Sequence, residues 1–169
     1  MDLKEIKVVT GENLHDLSMR KPIMLVFLRH FGCVFCREAI YDLSKKKEDL
    51  ESRNIEIIFV HMTTPEIAEK YFSDFNLNSF KHISDESCEL YAQFGLVKGN
   101  FSQLFGFNNW VRGFEAREKG INWTMERIGD SLQMPGIFLI INGQLRNSYI
   151  HKSVSDKPDY DYLINCCVD

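Results

Sequence analysis

Unbroken apolar runs alternate along the chain with stretches that repeat at helical spacing, and the order of the two predicts the architecture. Ile23 to Leu28 lies between Pro22 and the Arg29-His30 pair with no polar alternation. Such a run reads as a strand buried on both faces. The period then changes. Ala39, Ile40, Leu43 and Leu50 recur at roughly helical spacing, leaving Glu38, Lys45, Lys46, Glu48, Asp49 and Glu51 for a wet face. One helix is expected from the cysteines near its start to about Asn54. Ile55 to Val60 is a second buried strand. Thr63-Thr64-Pro65-Glu66 combines a capping box with a first-turn proline and opens a helix to about Phe75.

Shorter signals complete the order. Glu5 to Val9 reads as a short strand closed by Thr10-Gly11, and Asn13 to Ser18 as a helical turn. His82-Ile83 is a third short strand, followed by a helix from Asp85 or Glu86 to Phe94. Ile137 to Ile141 and Gln144 to Ile150 flank Asn142-Gly143, the strongest short hairpin signal. A short helix is expected around Asp159 to Cys166. Residues 96–134 carry Phe101, Phe105, Phe107, Trp110, Phe114 and Trp123 without a clean period; the stretch is too long for a bare loop and reads as a partly helical aromatic insertion. Strands separated by helices imply right-handed parallel crossovers, and the hairpin adds an antiparallel edge. The expectation is an α/β chain with a mixed central sheet and helices on both faces.

Composition narrows the function classes. The 169 residues, 44% hydrophobic and 26% charged, fit one domain over residues 1–169. A net charge of −4 and one basic run, Lys45 to Lys47, argue against nucleic acid as a partner. With no signal pattern and no apolar run near membrane-spanning length, a cytoplasmic protein with no membrane partner is expected. The five cysteines are odd in number and unevenly placed at 33, 36, 88, 166 and 167, unlike a secreted disulfide framework.

Cys33-Val34-Phe35-Cys36 is therefore redox-active, metal-binding or accidental. Zinc needs four ligands, and the nearest candidates are His30, His61 and the distant Cys166-Cys167, with no second CxxC. Between a buried strand and the following helix, the first thiol meets unpaired N–H groups and the positive end of the helix dipole, both favouring a thiolate. Arg29, His30 and Arg37 flank it. The spacing lets Cys36, one turn on, attack a mixed disulfide made by Cys33. Pro135, directly ahead of a strand, is compatible with either a cis bond or an ordinary strand-edge proline.

The segment Phe27-Leu28-Arg29-His30-Phe31-Gly32-Cys33-Val34-Phe35-Cys36-Arg37-Glu38, with Gln133-Met134-Pro135-Gly136-Ile137-Phe138-Leu139-Ile140 and the tail His151 to Leu163, resembles the peroxiredoxin-like AhpC/TSA branch of the thioredoxin-fold superfamily, which includes SelL-related and peroxiredoxin-like 2 proteins. The resemblance implies a thioredoxin-like three-layer α/β/α fold, an antioxidant role and a CxxC active site faced by Met134 and a cis Pro135. It implies no bound cofactor or metal. Electrons would come from an external dithiol donor, the partners being a thioredoxin- or glutathione-type reductant and a protein disulfide or small peroxide substrate, and a homodimer is compatible with it. Two departures stand out. Phe27 occupies the place where thioredoxins carry a buried acid. Aligning Cys36 with the peroxidatic position of the Pro-x-x-x-Thr-x-x-Cys motif puts Arg29 at the Pro and Cys33 at the Thr.

The first expectation is thus a thiol–disulfide oxidoreductase with Cys33 attacking and Cys36 resolving. The alternative is a hydroperoxide or lipid endoperoxide reductase working through the same cysteines. A second alternative is a non-catalytic binding module gripping a ligand with its aromatic insertion. No GxGxxG suggests a nicotinamide or flavin. Cys88 reads as a small buried hydrophobe on its helix, Cys166-Cys167 as an ordinary tail, His61 as a core histidine, and Arg112, Arg117 and Arg127 as members of ion pairs.

Overall fold

The computed structural model describes residues 2–75, 77, 80–100, 104 and 129–165. Five strands form one sheet: β1 (Ile23–Phe27), β2 (Glu56–His61), β3 (Lys81–Ser84), β4 (Gly136–Ile141) and β5 (Gln144–Ile150), in the order β3-β2-β1-β4-β5. β1 runs parallel to β2 with Ile23 opposite Glu56, and β2 runs parallel to β3. β4 is antiparallel to β1, with Phe27 opposite Gly136, and β5 closes the hairpin. Among the described residues six helices pack around this sheet: α1 (Leu14–Arg20), α2 (Val34–Lys45), α3 (Lys47–Ser52), α4 (Pro65–Ser73), α5 (Glu89–Gln93) and α6 (Tyr160–Asn165).

The unbroken apolarity of β1 follows from cover on both sides. Met24 and Val26 join one core cluster with Ile40 and Leu43 of α2, Ala68 and Phe72 of α4, and Leu163 and Ile164 of α6. Ile23, Leu25 and Phe27 join the other with Leu14 and Leu17 of α1 and Leu90 and Tyr91 of α5. The successive side chains of a strand point to opposite faces, so a central strand between two helical layers needs apolar residues throughout. This is the mixed, three-layer α/β/α thioredoxin-like arrangement. Asn142 (φ 51) and Gly143 (φ 72) both take the left-handed backbone that a tight hairpin turn requires.

Several expectations are corrected. The strand over 5–9 is reduced to a single bridge from Lys7 to Asn13, because the chain turns back at Gly11 (φ 96) and pairs with its own next segment. The single helix expected to Asn54 is two: Lys46 leaves helical geometry (φ −91, ψ 0) while its Nζ reaches Asp161 of α6 at 2.7 Å. The helix after β3 starts at Glu89 because the Asp85 carboxylate captures the amides of Glu89, Leu90 and Tyr91 at 3.1, 2.8 and 3.2 Å. Cys88 is therefore not on the helix but caps it, half-buried, at φ 61. Glu38, assigned to the wet face, is buried at 4% exposure. The Met134–Pro135 bond is trans. That loop is held in extended pairing, the Met134 amide donating to the Val97 carbonyl and the Pro135 carbonyl accepting from His151, and the ordinary isomer satisfies both. Most of the aromatic insertion, including its six named aromatics and Arg112, Arg117 and Arg127, lies outside the described residues, as do Cys166 and Cys167.

Candidate active site

β1 delivers the chain at Phe27, and Leu28 adds one more bond to β2 through its amide to the Val60 carbonyl at 2.9 Å. Tyr91 anchors this end, its hydroxyl donating to the carbonyls of Leu28 and of Val60, the latter at 3.1 Å. The turn Arg29 to Gly32 then leads into α2, whose N-cap is Cys33 (φ −77, ψ 121). The Cys33 amide donates to the His30 carbonyl at 2.9 Å, which locks that turn. Cys33 thus stands where the free N–H groups of the helix converge, and Cys36 follows in the first turn.

Arg29 binds both cysteines. Its backbone N–H donates to Cys36 Sγ at 3.1 Å, and its guanidinium Nη1 lies 3.6 Å from Cys33 Sγ. The other terminal nitrogen of that guanidinium donates to the Ser131 carbonyl, which fixes the group against the loop before β4. Both cysteines are free thiols with 5% of their surface exposed. The hydrogen bond that the Cys36 thiol donates brings Cys33 down to about 6, with burial opposing and the charge of Arg29 adding to the fall. Burial pushes Cys36 well above the ordinary thiol range, and the neighbouring Cys33 pushes it further the same way. The pair is polarised, with Cys33 the thiolate and Cys36 the thiol.

The remaining sequence candidates divide. Pro135 lines a cavity of about 40 Å³ together with Arg29, Cys33 and Cys36. Met134 is buried against Phe35, Leu104 and Val154, forming a wall beside the CxxC turn. Gly136, next along, is closely packed: a Cβ there would meet Leu96 Cδ2 at 2.6 Å, so the leucine side chain would have to shift. His30 contributes its carbonyl to Cys33. The Arg37 guanidinium lies 5.9 Å over the Phe75 ring, so the cation placed on the thiols is Arg29. His61 is a core residue paired with His82 at 2.9 Å and held neutral by burial, down to about 3. The 40 Å³ cavity also brings in Glu38, Asp42, His151 and Tyr160, which sequence reasoning missed. An acid one turn into the helix after the motif was the one signal for Glu38; nothing local marked the tail residues. Among the described residues, no group of three or more His, Cys, Asp or Glu is placed to hold a metal.

Comparison with known proteins fits this geometry. The sequence model for AhpC/TSA antioxidant enzymes matches residues 42–155. The chain belongs to that family. The matched region begins just after both cysteines. Prostamide/prostaglandin F synthase of Homo sapiens is 26% identical over 162 residues, covering 92% of this chain and 81% of the relative. The Danio rerio protein of the same name is 27% identical over 163 residues, covering 91% and 79%. Among solved structures, peroxiredoxin 6 of Arenicola marina superposes with a TM-score of 0.66 at 14% identity over 95% of this chain and 66% of that one. A DsbE thiol:disulfide interchange protein from Chlorobium tepidum gives 0.61 at 17% identity, covering 97% and 92%. At these identities the two structures speak for the fold. The family member described here is an oxidoreductase. Among the described residues, no helix is long and apolar enough to cross a membrane.

Proposed function

We propose that the protein is an antioxidant thiol–disulfide oxidoreductase in which Cys33 attacks and Cys36 resolves. The observation that carries the reading is the polarised pair: Arg29 stands 3.6 Å from Cys33 Sγ at a helix N-cap, while Cys36 is held as a thiol. In the first step the Cys33 thiolate attacks a disulfide sulfur of the substrate. That S–S bond breaks, one half leaves as a thiolate, and the other half stays on Cys33. In the second step Cys36 gives up its proton and attacks Cys33 Sγ. A Cys33–Cys36 disulfide forms and the bound half is released reduced. An external reductant, a thioredoxin-type dithiol or two equivalents of a glutathione-type thiol, then returns the pair to thiols, consistent with a reducing, cytoplasmic setting. Met134 and Pro135 border the place where the substrate arrives.

A second reading keeps the cysteines and changes the acceptor to an O–O bond, in a hydroperoxide or lipid endoperoxide. The relatives named prostamide/prostaglandin F synthase favour it. Against a conventional peroxidase stands the residue at the peroxidatic position, Cys36, which burial keeps protonated. In this second reading the Cys33 thiolate attacks one oxygen and the O–O bond breaks: a hydroperoxide leaves as the alcohol and Cys33 becomes a sulfenic acid that Cys36 condenses to the same disulfide with loss of water, whereas an endoperoxide stays on Cys33 as a sulfenate ester until Cys36 forms the disulfide and releases a diol.

One experiment separates the readings. The reduced protein is mixed with stoichiometric hydroperoxide or with a model disulfide, and the products are trapped and mapped by mass. Rapid formation of a Cys33–Cys36 disulfide from the model disulfide, with slow reaction toward peroxide, supports thiol exchange. Fast peroxide consumption supports the second reading. Thiols that pair under neither condition overturn both.

A further inference from the structure

Resting on the dithiol reading above, we infer that residues 97–99 occupy the main-chain edge beside the thiols where a polypeptide would dock, so that Cys33 takes low-molecular-mass disulfides and turns polypeptide disulfides away. Extended polypeptides are commonly recognised by main-chain hydrogen bonds to a free strand edge. Among the described residues, β1, which leads to the cysteines, and β4 beside it are each paired on both sides. The extended segment that borders the thiols is 131–135. Its Ser131 carbonyl accepts from the Arg29 guanidinium, Met134 packs with Phe35 of the motif, and Pro135 lines the cavity with both cysteines.

That segment is already paired. The Met134 amide donates to the Val97 carbonyl at 3.2 Å, and the Gly99 amide donates to the Leu132 carbonyl at 2.7 Å. Lys98 stands opposite Gln133 in this antiparallel bridge. The Gln133 side chain, buried at 3% exposure, spends its amide on the carbonyls of Leu96 and Val97 at 3.0 and 3.4 Å. Lys98 Nζ adds an ion pair to Asp130 at 2.7 Å. Gly99 lets the two segments lie close: a Cβ there would meet Met134 Sδ at 2.6 Å and Leu104 Cδ2 at 3.2 Å. A buried amide clamped on two main-chain carbonyls, with a glycine at the closest approach, marks a contact that the fold has built.

The consequence falls on the substrate. A polypeptide docking here must give up the Val97 and Leu132 bonds before it makes its own, with no net gain in hydrogen bonds. A disulfide with short substituents makes no such demand. It has only to bring one sulfur in line with Cys33 Sγ, past a wall of Phe35, Leu104, Met134 and Val154. Both thiols have 5% of their surface exposed, which suits a slender acceptor. In the step itself the Cys33 thiolate attacks that sulfur, the S–S bond breaks, and the other half leaves as a thiolate. Cys36 then gives up its proton and attacks Cys33 Sγ, and the bound half departs as a thiolate that takes up a proton from solvent.

The test compares two mixed disulfides of thionitrobenzoate. One carries a single cysteine blocked at both ends, the other a cysteine in the middle of an extended peptide. Each releases the same coloured thionitrobenzoate when Cys33 attacks the cysteine sulfur, so only the substituent changes. Dithiothreitol gives the ratio of the two rates without docking. Relative to that ratio, the native protein is expected to disfavour the peptide by on the order of 10-fold, since two main-chain bonds must be given up. Gln133→Ala, which removes the clamp, and Gly99→Pro, which removes one main-chain bond, should bring the peptide toward the dithiothreitol ratio while the blocked-cysteine rate holds. A native protein that takes the peptide as fast as the blocked cysteine overturns the inference. So does a ratio unmoved in both variants, including one in which both rates fall together. If the native protein releases thionitrobenzoate from neither probe, the dithiol reading itself fails, and not the role of residues 97–99 alone.

Discussion

Replacing Cys36 with alanine removes the donor that contributes most to the acidity of Cys33, whereas Arg29→Met removes a smaller contribution from charge. The predicted consequence is a rank order: Cys33 titrates lowest in the native protein, higher in Arg29→Met and highest in Cys36→Ala. The fall from 9.0 to about 6 corresponds to a preference for the thiolate of about 4 kcal/mol. At pH 7 a thiol at 6 is about nine-tenths ionised and one at 9 about one-hundredth, a ratio of roughly 90 in thiolate. Intrinsic nucleophilicity falls with acidity, by roughly 20-fold over the same interval, so the net gain in rate at pH 7 is only about fivefold. A single-pH rate is thus a poor test and the midpoint a good one. The assay is thiolate ultraviolet absorbance against pH, paralleled by the pH dependence of iodoacetamide alkylation. The reasoning fails if Cys36→Ala still titrates near the native midpoint, or if Arg29→Met moves Cys33 further than Cys36→Ala does.

Three further outcomes follow from buried groups. His61 and His151, lowered by burial to about 3 and about 4, stay neutral in the fold while their unfolded counterparts charge below about 6.5. Their stabilisation is present above that value and is lost as pH falls, so unfolding between pH 6 and pH 5 should take up about two protons; denaturant midpoints that stay flat over this range would contradict it. Cys33 adds stability of the same sign to the reduced protein, present above its unfolded value and lost as pH falls through about 6, and Cys33→Ser should flatten the curve between pH 6 and pH 9. Tyr91→Phe leaves the buried carbonyls of Leu28 and Val60 without their donor and should cost about 1–3 kcal/mol in urea unfolding; a loss below about 0.5 kcal/mol would show that this anchor is not holding the strand end.

The sheet was legible because its signals are local. A run such as Ile23 to Leu28 has one economical explanation, and Asn142-Gly143 has a backbone requirement few other dipeptides meet. Cys33 at a helix N-cap was legible for the same reason, since a strand–turn–helix transition fixes where the motif sits. The failures have a common cause in tertiary contacts. Asp85 takes three amides and thereby delays α5, which no helical periodicity announces. Lys46 breaks a helix while reaching Asp161, more than a hundred residues away. Glu38 was placed in water by its charge, yet it is buried beside a cavity that Tyr160 and the loop from His151 to Pro158 also line. Of the three basic residues flanking the motif, sequence alone treated Arg29, His30 and Arg37 alike. Only the fold shows Arg29 on the sulfurs and Arg37 on Phe75.

A site built this way has a consequence for how its two thiols divide the work. Catalytic pairs are assigned by environments that push their acidities apart, and here one segment does the pushing in both directions. The Arg29 backbone and side chain reach both sulfurs, but the charged end lies beside Cys33 while Cys36 receives only an amide donor. Burial is equal for the two, so the difference comes from charge and from the direction of the hydrogen bond between them. Once Cys33 is tied up in a mixed disulfide or a sulfenic acid, that bond and its negative charge vanish. The neighbouring Cys33 charge that kept Cys36 protonated is then gone, and what remains against its ionisation is burial. The first half-reaction therefore prepares the second.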